Sequence, residues 1–139
     1  MKNLFFILCL IFSVNSHAQS IKSSRITQPE AVNLMASIES MEVLKGDQLY
    51  LKIFKSANGS GTADSPETHE TSYNLLISVS HYDENPERRL FSIGPFIQPK
   101  VSKKLDSGKS VTLLIEDGHG TNKKTYRVMV SETEVKIQQ

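Results

Sequence analysis

The strongest constraint on this chain is the apolar alternation on either side of one turn-rich loop, residues 110–131 (SVTLLIEDGHGTNKKTYRVMVS). Val111, Leu113 and Ile115 alternate with Thr112, Leu114 and Glu116, and Tyr126, Val128 and Val130 alternate with Thr125, Arg127 and Met129. Successive strand side chains point to opposite faces, so each run presents one apolar face to a core. Between them, Asp117-Gly118-His119-Gly120-Thr121-Asn122 supplies residues that tolerate positive φ, which a reversing chain needs. The pattern predicts a β-hairpin.

The same period recurs upstream. Leu49, Leu51 and Ile53 alternate with Tyr50, Lys52 and Phe54 after the turn residues Lys45-Gly46-Asp47, and Tyr73, Leu75, Ile77 and Val79 form another clean strand. Residues 90–97 (LFSIGPFI) are apolar but broken by Gly94-Pro95, which suits an edge strand or a bulge because proline cannot donate to a ladder. The tail 134–137 alternates weakly and predicts a short last strand. Residues 31–38 fit two periods. Val32, Leu34, Ala36 and Ile38 alternate as in a strand, the preferred reading, whereas Ala31, Leu34, Met35 and Ile38 fit a helix. Thr27-Gln28-Pro29-Glu30 resembles a helix start with a capping pair.

About six to eight short strands separated by turn signals predict an all-β, antiparallel β-sandwich of immunoglobulin-like or C2-like outline, with an open barrel as the alternative. The domain is expected over residues 31–139, after a polar lead-in at 19–30. Residues 56–72 (SANGSGTADSPETHETS) contain no large apolar side chain and are expected to form a long exposed loop. Asn58-Gly59-Ser60 matches the N-glycosylation pattern, although the Asn-Gly pair is explained equally well as a turn.

The first 18 residues read as a signal peptide. Lys2 is followed by the apolar run Leu4–Phe12, and Ser16-His17-Ala18 places small residues before a cleavage site at Gln19. Nine apolar residues are too few to span a bilayer, which takes about 20, so the mature chain is expected to be secreted or periplasmic with no transmembrane segment. Cleavage also removes Cys9, the only cysteine, leaving neither a disulfide nor a thiol for catalysis or metal binding.

Charge is unevenly distributed. Residues 19–87 carry ten acids and five bases; residues 88–139 carry five acids and ten bases. The bases are dispersed rather than blocked, which argues for neutralisation by the acidic segments and against nucleic acid as a partner.

No nucleophile elbow, phosphate-binding glycine loop, zinc-protease helix or dinucleotide fingerprint occurs. If the strands simply run up and down, loops 41–47, 81–89 and 117–122 share one end, gathering Asp47, His81, Asp83, Glu84, Asp117 and His119, of which His81, Asp83, Glu84, Asp117 and His119 are the candidate binding residues. Converging carboxylates suit calcium, and imidazoles with carboxylates suit zinc or copper. Arg88, Arg89, Lys123 and Lys124 at the same end would offset them, so no catalytic residue, metal or cofactor is assigned. The favoured function is a non-catalytic module binding a protein or glycan through loops or a sheet edge. The alternative is a small metal-dependent hydrolase or calcium-binding domain using the 81–89/117–122 loop end.

Overall fold

A computed structural model of the chain describes residues 23–60 and 70–138; the signal-peptide expectation lies outside them. The described elements are helix α1 (Pro29–Ser37), followed by β1 (Ile38–Lys45), β2 (Tyr50–Ser60), β3 (Thr71–Ser80) and β4 (Arg89–Phe96). Then come β5 (Lys100–Asp106), β6 (Ser110–Asp117), β7 (Lys124–Ser131) and β8 (Val135–Gln138). They form two four-stranded antiparallel sheets, ordered β1-β2-β3-β4 and β5-β6-β7-β8. The two-sheet outline matches the expected sandwich. Each described sheet is a plain meander, and the chain crosses between them at 97–99, so the connectivity differs from the Greek key of immunoglobulin-like domains.

The alternation read from the sequence builds the core. Leu49, just before β2, and Leu51, Ile53, Leu75, Ile77 and Val79 of the first sheet pack with Val111, Leu113, Ile115, Val128 and Val130 of the second, all buried. Burying each such side chain stabilises the fold by roughly 1.5–3 kcal/mol. The hairpin register pairs Leu113 with Val128 and Val111 with Val130, keeping the apolar sets on one face. Its loop turns with Gly118 and Gly120 at positive φ, as the sequence suggested.

β4 is an edge strand, and its pairing with β3 shifts between Tyr73/Phe96 and Leu75/Ile93, which places Gly94-Pro95 in an irregularity opposite Asn74. A ladder has no use there for the N–H that Pro95 lacks.

Four segments differ from expectation. Residues 29–37 form a helix, not a strand: Pro29 stands in the first turn, and Glu30, Ala31, Leu34, Met35 and Ala36 are strong helix formers, so the alternation was coincidental. Thr27 does not cap it; Gln28 occupies that position without a side-chain bond. Residues 41–45, expected in a loop, belong to β1 and pair with β2 from Met41↔Phe54 to Lys45↔Tyr50. Residues 56–60 and 71–72, expected in the long loop, extend β2 and β3. Ser56 and Ser72 are buried there, and the Asn58 amide donates to Ser72 Oγ (3.0 Å) and its oxygen accepts from Asn74 Nδ2 (2.9 Å). Polar side chains that satisfy one another can be carried by a strand, which a reading based on apolar residues overlooks. Finally, residues 100–106, where the apolar pattern predicts only a lead into the 110–131 hairpin, form β5, whose lysines hid its period.

Candidate functional site

The connectivity parts the five candidate residues. Because the chain crosses to the second sheet at 97–99, β5 starts where β4 ends, and turns 107–109 and 132–134 join 46–49 and 81–88 at one end. The 118–123 loop lies at the other end with 97–99. His81 marks the first end: its Nε2 lies 3.0 Å from Glu132 Oε2, on the turn after β7. Asp117 marks the second, separated from Ser110 by the length of β6, roughly 23 Å for an extended strand. His81, Asp83 and Glu84 therefore do not meet Asp117 and His119. Arg88 and Arg89 are likewise parted from Lys123 and Lys124. The metal or hydrolase arrangement at a shared 81–89/117–122 loop end is not formed. Among the described residues no three His, Cys, Asp or Glu side chains gather as a metal site.

What forms instead is a hollow of about 400 Å³ on the outer face of the first sheet, beside the 81–88 loop. Its floor is the outward set of β2 and β3: Tyr50, Lys52, Ser78 and Ser80. These residues point outward because Leu49, Leu51, Ile77 and Val79 occupy the core. Its wall is the loop itself, with His81, Tyr82, Asp83, Glu84 and Arg88. Three of the five candidates thus line one hollow.

The loop is pinned at two points. Tyr82 Oη donates to the Gly46 carbonyl at 2.9 Å, and the Tyr82 ring meets the Tyr50 ring edge-on at 6.0 Å between centroids. His81 Nδ1 lies 3.2 Å from the Gln48 carbonyl while Nε2 faces Glu132. Both ring nitrogens face acceptors, and only the imidazolium donates from both. The Glu132 hydrogen bond, with help from Gln48 and the nearby Asp83 charge, raises the His81 pKa above its usual value, and desolvation opposes this only in part. Glu132 is correspondingly lowered, first by its hydrogen bond to His81.

Asp117 has a structural task. It is buried, and its Oδ1 accepts from the backbone N–H groups of Ile97 and Gln98, both at 2.8 Å, clasping the crossover between the sheets. His119 is exposed in the β6–β7 loop. Sequence reasoning missed Tyr82, Lys52 and Ser78 as site residues, since only the fold of the 81–88 loop sets them with Tyr50 around one hollow. Tyr50 on the face away from the core was the one available signal.

Fold and hollow together define a small antiparallel β-sandwich with an open, aromatic-floored pocket on one sheet. No family model matches the chain, and neither a curated protein nor a solved structure is similar enough to match it. Among the described residues no helix is long and apolar enough to cross a membrane.

Proposed function

We propose that the chain is an exported, non-catalytic interaction module that takes a protein or glycan partner at the hollow beside the 81–88 loop. The observation that carries this reading is the Tyr50–Tyr82 pair set next to Ser78 and Ser80 and rimmed by charges of both signs. Tyrosine offers an apolar body with a polar tip, which makes it a frequent contact residue at interfaces. A glycan is the favoured ligand, because flat apolar rings can meet the C–H face of a sugar while hydroxyls and carboxylates meet its hydroxyl groups. His81 weighs against general-base chemistry here: both its nitrogens are engaged by acceptors of the fold, which leaves no free lone pair.

Export is part of the same proposal. Intact mass of the secreted or periplasmic protein should correspond to a chain beginning at Gln19, and a retained Leu4–Phe12 segment would overturn it. The binding reading is tested by presenting the mature protein to a glycan array and to native envelope extracts, alongside Tyr50→Ala and Tyr82→Ala. Capture on the array, lost in both variants, supports the glycan reading; capture of a protein alone, lost in both, supports a protein partner. Binding that survives both substitutions would place the site elsewhere.

A further inference from the structure

At the end opposite that hollow, a second recess has a different chemistry. One hollow of about 300 Å³ is bordered by Lys55, Lys100 and Lys123, and among the described residues Glu116 is the one acid that lines it. An adjoining hollow of about 250 Å³ shares Lys55, Pro99 and Lys100 and is also lined by Ile53, Leu75 and Val101. Glu42 and Ser40 of β1 also line this adjoining hollow. Three lysines thus border the pair of hollows together with Glu116 and Glu42, and apolar carbon of Ile53, Leu75, Pro99 and Val101 lines the one between the open edges β1 and β5.

The cations come from three separate segments. Lys55 stands on β2, held 3.7 Å above the Tyr73 ring and 3.4 Å from Glu39 Oε2. A cation over an aromatic face is attracted by the ring quadrupole, so this ammonium is positioned in advance. Lys100 opens β5 immediately after the crossover. Lys123 ends the β6–β7 loop. Lys100 and Glu116 are partners in the β5–β6 register, yet no ion pair joins them, and among the described residues neither Lys100 nor Lys123 has a carboxylate within ion-pair distance. The crossover that carries Gln98, Pro99 and Lys100 is clasped by Asp117 through Ile97 and Gln98. Asp117 is therefore a positioning residue for this recess, touching no ligand itself.

We propose that this recess binds an organic anion. A carboxylate, phosphate or sulfate group sits among Lys55, Lys100 and Lys123, and its carbon skeleton lies on Pro99, Ile53, Leu75 and Val101. Two ammonium groups without an ion-pair partner among the described residues, and a third held by the Tyr73 ring and Glu39, supply charge-assisted donors, which bind oxyanions more strongly than neutral donors do. The apolar lining of the adjoining hollow, mainly Pro99 and Val101 with the edges of Ile53 and Leu75, adds affinity for carbon that inorganic ions cannot use.

The test titrates the mature protein with decanoate below its micellar concentration, following backbone amide shifts and heats of binding, with decanol, decyl phosphate and acetate as comparisons. Decanoate should bind and shift the amides of Lys100, Val101 and Gly118. Loss of the anionic group in decanol, or of the two lysines in a Lys100→Ala/Lys123→Ala variant, should each weaken binding about tenfold or more, the scale of losing charge-assisted contacts. Acetate should bind less well than decanoate. Decyl phosphate binding as well as decanoate or better identifies the headgroup preference within the same site. Tyr82→Ala should leave decanoate binding unchanged, which separates this recess from the tyrosine hollow. Decanol equal to decanoate, undiminished binding in the folded double variant, or no saturable binding by decanoate and decyl phosphate would each overturn the proposal.

Discussion

His81 on the β3–β4 loop and Glu132 on the β7–β8 turn meet at 3.0 Å, joining the two sheets at one end of the sandwich. The first prediction follows from their titration. His81 is raised above 6.5, so its contribution to stability is complete below that value and fades as pH rises through the folded-state pKa. Glu132 is lowered below 4.5, so the same contact is complete above that value and fades as pH falls through the lowered one. The contact therefore stabilises most between these two ordinary values. Thermal melting of wild type and His81→Gln across pH should show the wild-type advantage largest near pH 5–6 and shrinking on the alkaline side. A gap that widens with rising pH would refute the assignment.

Asp117 gives the second. Its carboxylate accepts two backbone N–H groups while buried, so Asp117→Ala leaves both donors without their partner. Hydrogen bonds to charged groups contribute about 1.5–3 kcal/mol each and are not strictly additive, so urea unfolding should show a loss of roughly 2–4 kcal/mol. Asp117→Asn keeps an acceptor oxygen and should lose less, because neutral acceptors are weaker. Equal losses in the two variants would mean that charge is irrelevant at the clasp.

The core supplies a third. Ile115 and Val128 are fully buried on neighbouring strands of the second sheet. Ile115→Ala should cost roughly 2–4 kcal/mol and Val128→Ala somewhat less, through lost burial and a residual cavity. Wild-type melting in both would show that these faces do not form the core.

These predictions differ in how far ahead of the structure they could be made. The third needs only the alternation in residues 110–131, because burial of one strand face imposes a period of two that sequence displays directly. The same holds for Leu49–Ile53 and for Tyr73–Val79. β5 was hidden because Lys100 and Lys104 occupy a strand at the sheet edge, where lysine is tolerated and no apolar face is required in full. Helix α1 was obscured because its helical spacing, Ala31, Leu34, Met35 and Ile38, competes with an equally regular strand alternation, and none of residues 29–37 is buried to favour one period over the other. The candidate site failed at the level of connectivity. His81 and Asp117 are each placed by their own strand, but whether two loops share an end depends on where the chain changes sheet. The turn at 97–99 carries no residue pattern announcing that change. His81, Asp83 and Glu84 stayed together simply because they are neighbours in sequence.

The last prediction concerns the loop between β6 and β7, where two glycines look alike in sequence and differ in surroundings. Gly118 has φ +104 and a β-carbon there would run into the Asn122 carbonyl, part of the backbone that closes the turn through Asn122 N–H to the His119 carbonyl at 2.9 Å. Gly120 has φ +54, an ordinary left-handed conformation, with open space around the site of a β-carbon. Gly118→Ala combines a disfavoured backbone with a backbone clash and should cost roughly 2–4 kcal/mol. Gly120→Ala should cost about 1–2 kcal/mol, the steric penalty of a left-handed L-residue, and Gly120→Asn less, since asparagine visits that region readily. Chemical denaturation of the three variants orders them. Gly118→Ala as stable as Gly120→Asn would show that the loop closes differently, with Gly118 outside the left-handed region and clear of Asn122.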